Sequence, residues 1–192
     1  MAKPINSSRV QAIQIAQNLI SKKPVYLDTE TTGLSNSDEI VEIAIIDHDG
    51  AVIFDELIKP SKQIPRDAIA IHGIDNIMVD SAKRWPVLWP TIRSKMVSRA
   101  IGIYNANFDL RMMRQSLEVY NMPWREKLNS FDILEIYARF YGEWDPRKRA
   151  YRYQSLEKAG RQCGISLPNS HRAKDDTLLT REVLHFIANS KE

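Results

Sequence analysis

Cysteine is almost absent from this chain of 192 residues, and long apolar runs are absent altogether. Because Cys163 is the single cysteine, an intrachain disulfide and a thiolate metal cluster are excluded, and we predict that Cys163 is a small buried residue. No apolar run approaches the roughly 20 residues of a membrane-spanning helix. Polar residues such as Arg9 and Gln11 interrupt the N-terminal segment, which lacks the continuous apolar core of a signal peptide, so we expect a cytoplasmic protein.

The residues that are present give the composition of a soluble globular protein, 43% hydrophobic and 27% charged. The length fits one domain with a substantial core. Apolar side chains at helical spacing predict an amphipathic helix from about Ser8 to Ser21, capped by Ser7 or Ser8. We therefore expect a helical extension, residues 1–23, packed on a domain that comprises residues 24–192.

Strand and helix patterns alternate through this domain. A strand is predicted from Pro24 to Asp28 and another at 39–47, and Asp49-Gly50 predicts a hairpin into a third strand at 51–58. A loop with Pro60 and Pro65 follows and includes residues 71–74. The later predictions are strands at 100–105 and 129–132, helices at 87–98, 107–120, 133–141, 155–163 and 174–188, and a loop at 142–153. This order predicts an α/β fold whose mixed five-stranded sheet begins with a three-stranded meander and carries helices on both faces.

Acidic side chains stand at the ends of apolar segments in three distant parts of the chain. Asp28 and Glu30 close the first strand, Asp109 follows the fourth strand, and Asp176 lies near the start of the last helix. Alternate side chains of a strand point to one face, so Asp28 and Glu30 face the same way. Because an unpartnered carboxylate is costly to desolvate, the pattern predicts that these acids share a cation.

Asp109 allows two interpretations. Taken alone, it is best explained as a carboxylate favoured by the dipole at a helix start. However, it shares a helical stripe with Met112 and Met113, which predicts an inward-facing side chain. The neighbouring Asn105 and Phe108 also favour a site, because they add an amide donor and a ring that can stack.

Two adjacent acids, Asp175 and Asp176, begin the last helix. Asp176 is predicted to face the core because its helical stripe is apolar, and we therefore select it over Asp175, whose stripe contains Glu182. The apolar members of the Asp176 stripe are Leu179, Val183, Phe186 and Ile187.

His171 precedes Asp176 by five residues, which on a continuous helix would place the two about 140° apart. They converge only if the helix starts between them, and Pro168, Asn169 and Ser170 predict such a loop. A histidine beside a buried acid suits a general base, because its ordinary pKa of about 6.5 is close to neutral pH.

Four clustered acids would oppose folding without cations. Two carboxylates about 4 Å apart repel by about 4 kcal/mol at an effective dielectric constant near 20. Two divalent ions roughly 3.5–4 Å apart balance four acids and can clamp both oxygens of an in-line displacement at phosphorus. Oxygen-only ligation favours Mg²⁺ or Mn²⁺.

Three strings, in this order, closely resemble the motifs of the DEDDh exonucleases. They are Asp-Thr-Glu-Thr-Thr-Gly-Leu at 28–34, Asn-x-x-Phe-Asp at 105–109 and His-x-Ala-x-x-Asp at 171–176, and Ile-His-Gly-Ile at 71–74 resembles a further family element. The resemblance spans about Val25 to Ala188. It implies a ribonuclease H-like fold and the hydrolysis of nucleic-acid 3′ ends to nucleoside 5′-monophosphates.

The resemblance also implies roles for individual residues. It assigns two metal ions to Asp28, Glu30, Asp109 and Asp176. It makes His171 the base that deprotonates the attacking water. Thr31 would meet the terminal 3′-hydroxyl through its backbone, and Leu34 would wedge against the last bases. Further substrate contacts are expected at His72, Asn105 and Phe108.

Several alternatives stay open at this stage. We expect a single-stranded DNA or RNA substrate, and the motifs do not distinguish the two because they contact sugar and phosphate, which carry little information on identity. A homodimer and a polymerase or repair partner are both compatible with the motifs. A non-catalytic binding module on the same fold is disfavoured, since clustered acids would repel phosphates. A metal hydrolase other than a nuclease has no motif to support it.

Basic and aromatic residues crowd one stretch of the chain. Basic groups neutralise phosphates and aromatic rings stack on unpaired bases, so the stretch is compatible with a nucleic-acid surface. The alternative, a solvated loop with ordinary core aromatics, is equally weighted. The residues are Arg125, Lys127, Arg139, Arg147, Lys148, Arg149 and Arg152, with Tyr137, Tyr141, Trp144, Tyr151 and Tyr153.

Overall fold

The structure, a computed structural model, describes residues 5–166 and 171–191. A five-stranded sheet has the order β3-β2-β1-β4-β5. Strands β1, β2 and β3 form an antiparallel meander, whereas β4 runs parallel to β1 and β5 parallel to β4. The strands are β1 Val25–Thr31, β2 Ile40–Ile46, β3 Val52–Leu57, β4 Ala100–Ile103 and β5 Asn129–Asp132. The predicted mixed sheet and its meander are confirmed.

Helices cover both faces of the sheet, as predicted. Tyr26 of β1 belongs to a core cluster that includes side chains of α1, α5 and α7, whereas its neighbours Val25 and Leu27 belong to a cluster with side chains of α3 and α4. This alternation is the period-2 geometry of a strand buried on both faces. The helices are α1 Ile5–Ser21, α2 Arg66–His72, α3 Trp85–Met96, α4 Ala106–Glu118, α5 Ile133–Tyr141, α6 Leu156–Gln162 and α7 Ala173–Asn189.

The N-terminal helix α1 packs against α5 and α7, and it buries Ala12, Ile13 and Ala16. It begins at Ile5, so the predicted cap at Ser7 or Ser8 is wrong because the helical backbone already includes both residues. The division into a 1–23 extension and a 24–192 domain stays a prediction. Within the described residues, no helix combines the length and the apolar character needed to cross a bilayer.

The segment predicted as a loop around Pro60 and Pro65 contains the helix α2. Pro65 occupies the position before the first helical residue, with φ −66° and extended ψ, and Gly73 closes the helix at φ +72°. Proline breaks a helix interior but suits a helix start, so its presence marked a boundary, not an absence of helix.

Two shorter predictions also differ from the structure. Residues 142–153 contain a two-stranded hairpin, β6 Trp144–Asp145 and β7 Ala150–Tyr151, whose strands are too short to show alternation in the sequence. Phe186 was placed on the buried stripe but is 38% exposed, because ten residues beyond Asp176 a helix has rotated about 80° away from it. Cys163 is buried as predicted, and burial raises the pKa of its thiol to about 11.

Candidate active site

Three of the predicted acids converge beside β1, the central strand of the sheet. The ligand oxygens of Asp28, Glu30 and Asp176 all lie within 4.8 Å of one another. Asp28 and Glu30 alternate along β1 and share a face, while Asp176 comes from the first turn of α7, which packs against β1. Side chains about 146 residues apart in sequence are therefore brought together by one strand and one helix start.

The electrostatics of this group fit a hard cation. Burial, together with the nearby charges of Asp176 and Glu42, raises the pKa of Glu30 to about 8. Burial and the Asp175 charge raise the pKa of Asp176 to about 7. Burial, followed by the charge of Asp109, raises the pKa of Asp28 well above its usual range. Each shift reports the cost of burying a carboxylate charge close to other acids, which a divalent ion bound by these oxygens would relieve.

Asp109 lies beside the group of three. It occupies the first turn of α4, is 2% exposed and accepts a hydrogen bond from the Thr29 hydroxyl at 2.7 Å. Burial raises its pKa to about 7, against the opposing effect of the Thr29 hydrogen bond. Its charge in turn raises the pKa of Asp28 and of Glu30. The inward orientation predicted from Met112 and Met113, both fully buried, is confirmed.

The two adjacent acids of α7 lie in different positions relative to the converging group. Asp176 is 6% exposed and belongs to the group of three, whereas Asp175 is half-buried and lies outside that group. Their roles as ligand and non-ligand stay predictions.

His171 stands before the helix, as its predicted role requires. Helix α7 begins at Ala173, and His171 adopts the left-handed conformation at φ +49°. Its side chain is exposed and makes no hydrogen bond to the described parts of the chain. Pro168, Asn169 and Ser170, which predicted the preceding loop, lie outside the described residues. The role of His171 as general base stays a prediction.

Glu42 is a buried acid that the sequence analysis missed. It is 3% exposed and pairs in register with Glu30 on the adjacent strand. Its carboxylate accepts a hydrogen bond from the backbone N–H of Ala173 at 2.8 Å and from the Arg172 guanidinium. Glu42 thus binds the first residues of α7. The signal available was an acid inside the otherwise apolar strand Ile40–Ile46.

His72 supports the backbone of Thr31. Its Nδ1 accepts the N–H of Ile74 at 3.0 Å, so its protonated Nε2 donates to the Thr31 carbonyl at 3.2 Å. The ring is 4% exposed, and burial lowers its pKa. With both nitrogens engaged, His72 holds Thr31 in place, and a direct polar contact between His72 and a substrate is not supported.

Leu34 lies at the tip of a braced loop and is 77% exposed. Asp38 accepts hydrogen bonds from the Thr32 hydroxyl at 2.8 Å and from the Ser35 backbone at 2.7 Å, and it pairs with Lys62 at 2.6 Å. Burial raises the pKa of Asp38, but these hydrogen bonds outweigh it and hold the pKa well below its usual range. The hydrogen bonds of Asp38 therefore hold the loop, and the apolar side chain of Leu34 is exposed to solvent.

Asn105 and Phe108 flank the start of α4. Asn105 is exposed in the left-handed conformation at φ +71°, and its backbone N–H donates to Asp132 Oδ1 at 3.1 Å. Phe108 is half-buried against the core, and the Arg111 guanidinium carbon lies 5.4 Å from its ring centroid. Both residues border the segment that carries Asp109, and their substrate contacts stay predictions.

Comparison with known proteins connects this site to a family. A family model described as exonuclease, RNase T, matches residues 25–184, which include all four acids and His171. The chain belongs to the RNase T exonuclease family. It is accordingly a nuclease-family protein with a ribonuclease H-like fold and an acidic site suited to metal.

Three relatives illustrate the family. The chain is 33% identical over 181 residues to the uncharacterized exonuclease CP81 of Escherichia phage 186, covering 91% of this chain and 93% of that protein. It is 27% identical over 162 residues to the 3′-5′ exonuclease DinG of Staphylococcus aureus, covering 82% of this chain but 17% of DinG. Exonuclease X in complex with 5′ overhanging duplex DNA matches with a TM-score of 0.64 and 26% identity, over 86% of this chain and 90% of that one.

Proposed function

We propose that this protein is a metal-dependent 3′–5′ exonuclease of the DEDDh type, acting on single-stranded DNA or RNA. The observation that carries the proposal is the convergence of Asp28, Glu30 and Asp176 within 4.8 Å, with buried Asp109 beside them. The name of the related 3′-5′ exonuclease DinG favours this direction of degradation.

The four acids would hold two divalent ions, Mg²⁺ or Mn²⁺. When bound, such ions supply charge stabilisation to the attacking and leaving oxygens of a phosphodiester. Asp28 and Glu30 contribute carboxylates from one rigid strand, and Asp109 and Asp176 contribute theirs from two helix starts. Carboxylates on regular elements are held more precisely than carboxylates on loops, which suits a reaction that depends on positioning.

His171 would accept the proton of the attacking water. The water oxygen would then bond to phosphorus as the bond to the 3′-oxygen of the preceding nucleotide breaks. That oxygen would take up a proton from solvent to become the new terminal 3′-hydroxyl, and a nucleoside 5′-monophosphate would leave. The exposed position of His171, just before α7, favours this role because a general base must exchange its proton with solvent in each cycle.

Thr31 and Leu34 would receive the 3′ terminus. Thr31 follows Glu30 directly, and the His72 ring fixes the backbone that would meet the terminal 3′-hydroxyl. Leu34 stands exposed three residues further, where its side chain can wedge against unstacked bases. Asn105 and Phe108 would add contacts from the start of α4.

The test is digestion of a single strand labelled at its 5′ end, with Mg²⁺ or Mn²⁺. Stepwise shortening of the labelled strand is expected, together with sharp inhibition by a blocked 3′ terminus. Parallel reactions with DNA, RNA and duplex DNA would identify the preferred substrate. Equal degradation of circular and linear strands would contradict the exonuclease proposal.

The matched variants for this test are Asp176→Asn and Asp175→Asn. Both remove one charge from the first turn of α7, but only Asp176 belongs to the converging group. We expect Asp176→Asn to abolish most of the cleavage and Asp175→Asn to retain most of it. An equal loss of cleavage in both variants would show that cleavage depends on the total charge at the start of α7 and not on Asp176 as a specific ligand.

A further inference from the structure

The β6–β7 hairpin encloses a groove with helices α1 and α5. We call it the hairpin groove and define it by Glu135 and Arg139 of α5 and by Trp144, Arg149, Tyr151 and Tyr153 of the hairpin and its exit. Its volume is about 430 Å³. The Trp144 and Tyr151 rings meet edge-on at 5.1 Å and pair across the hairpin, which gives the groove a defined wall.

Hydrogen bonds connect one end of the groove to the segment that precedes Asp109. The Tyr104 hydroxyl donates to the Gln154 carbonyl at 2.9 Å, which ties the exit of the hairpin to the residue before Asn105. Asp132 accepts the N–H groups of Asn105 and Ala106 at 3.1 Å and caps α5, whose first turn contains Glu135. From there the groove runs along α5 to Arg139, one turn further from Asp132.

Cationic side chains outnumber acidic ones in the lining of the groove. Arg139 and Arg149 are exposed, and neither forms an ion pair within residues 5–166 and 171–191. By contrast, Arg152 pairs with Glu143 at 3.1 Å and with Asp145 at 3.7 Å. Glu135 is the one acid of the lining, so two arginines face a single carboxylate. A lining with a net positive charge and two guanidinium groups suits the phosphates of a nucleic-acid strand.

Aromatic rings stand beside these cations. Tyr153 is 62% exposed and Trp144 is 37% exposed, whereas Tyr137, from the same stretch of sequence, is 1% exposed and belongs to the core. Exposed rings beside free arginines form the platform on which unpaired bases stack. Tyr137 is therefore an ordinary core aromatic, whereas Tyr153 and Trp144 are exposed and available to a nucleic-acid surface.

We propose that the hairpin groove binds the single-stranded part of a nucleic acid on the 5′ side of the reacting 3′ end. Arg139 and Arg149 contact phosphates, and Tyr153 and Trp144 stack on bases. This proposal rests on the proposed function for the direction of the strand, but binding in the groove can be measured without cleavage. The groove makes the enzyme sensitive to strand length.

The test measures binding in EDTA, where metal-dependent cleavage does not occur, by fluorescence anisotropy with DNA and RNA strands about 12 nucleotides long. Arg139→Gln/Arg149→Gln should weaken binding about 10-fold and reduce the slope of log K against log salt by about 1.4, for two lost phosphate contacts. The control for the change in net charge is Arg93→Gln/Arg161→Gln, which removes two exposed arginines outside the groove, each of them paired with a glutamate.

Tyr153→Ala supplies a second, charge-neutral test. It should weaken the binding of a normal strand several-fold and leave an abasic strand of the same length unaffected, since only bases stack. Because Tyr153 is largely exposed, the variant should fold, and circular dichroism checks this. Equal effects on both strands would overturn the stacking role.

The outcomes separate the two proposals. If the groove variants bind a strand more weakly but the unaltered protein does not cleave it, the result supports the groove proposal and contradicts the exonuclease proposal. Normal cleavage with unchanged binding and unchanged length dependence in the groove variants would overturn the groove alone. If polyglutamate displaced the bound strand as effectively as an unlabelled nucleic-acid strand does, the groove would be a general anion-binding surface, and the nucleic-acid proposal would be overturned. DNA and RNA reactions in parallel identify which strand binds more tightly.

Discussion

Arg172 donates from Nη2 to Oε1 of the buried Glu42 at 2.5 Å, and from Nε to both carboxylate oxygens at 3.1 Å. The same carboxylate accepts the N–H of Ala173, the first residue of α7. Glu42 therefore connects β2 to the segment in which His171 and Asp176 lie. We infer that this pair positions the start of α7 relative to β1.

Glu42→Gln should slow cleavage while leaving the fold intact. The amide keeps the shape of the side chain but loses the charge that strengthens the Arg172 bonds, a loss of about 1–2 kcal/mol at the helix start. We expect single-turnover cleavage to fall about 10-fold with little change in KM. Glu56→Gln, at an exposed position of β3, is the control and should cleave normally. A normal rate for Glu42→Gln would show that α7 is positioned without this contact.

The sequence predicts most strands of the sheet but not the side-chain hydrogen bonds between residues that are distant in the chain. Residues 129–132 and 133–141 form β5 and α5 with the predicted bounds, because a short strand led directly into an amphipathic pattern. The sequence does not predict helix α2, because a proline such as Pro65 is as typical of a loop as of a helix start. Asp28 and Glu30 share a face because strand periodicity is local. Glu42 was missed because its partner Arg172 is 130 residues away, and no local pattern encodes that contact.

Without metal, the protein should lose stability as the pH rises from about 7 to about 8.5. The pKa of Glu30 is raised to about 8, so the folded state binds more protons than the unfolded state, whose carboxyl groups titrate near their ordinary values. A raised acid pKa gives stability that is present at low pH and lost as the pH rises through the folded value. Asp28, Asp109 and Asp176, whose pKa values are also raised, add to this loss, and we expect a total of at least about 1–2 kcal/mol by chemical denaturation in EDTA.

Glu30→Gln is the control for this pH dependence. It should reduce the loss, since the amide does not titrate, whereas Asp28, Asp109 and Asp176 still do. The buried histidines His72 and His185, whose pKa values are lowered, act in the opposite direction, but that effect ends near pH 7 as unfolded histidine becomes neutral. Saturating Mn²⁺ should abolish or reverse the loss for the unaltered protein. A flat profile in EDTA would contradict the repulsion inferred for the acids.

Asp28→Ala and His171→Ala should separate metal binding from proton transfer. Asp28 supplies one of the converging oxygens, so its removal should weaken Mn²⁺ binding measured by calorimetry. His171 lies outside that group, so its removal should leave Mn²⁺ binding largely intact and lower turnover by about 10²–10³-fold. His48→Ala, in the turn between β2 and β3, is a matched histidine control and should retain turnover. Normal turnover of His171→Ala would remove its assigned role.

Leu34→Ala should weaken the binding of a 3′ end without destabilising the protein. Leu34 is 77% exposed, so truncation should change the free energy of unfolding by less than about 0.5 kcal/mol. Its loop is held by Asp38 and by a hydrogen bond from Arg111 to the Leu34 carbonyl at 3.3 Å, and these contacts do not involve the Leu34 side chain. We therefore expect an unchanged melting temperature and a several-fold higher KM for a single strand. Ile77→Ala, at a site 85% exposed and remote in sequence from the acids, is the matched control, and an equal rise in its KM would contradict a specific wedge.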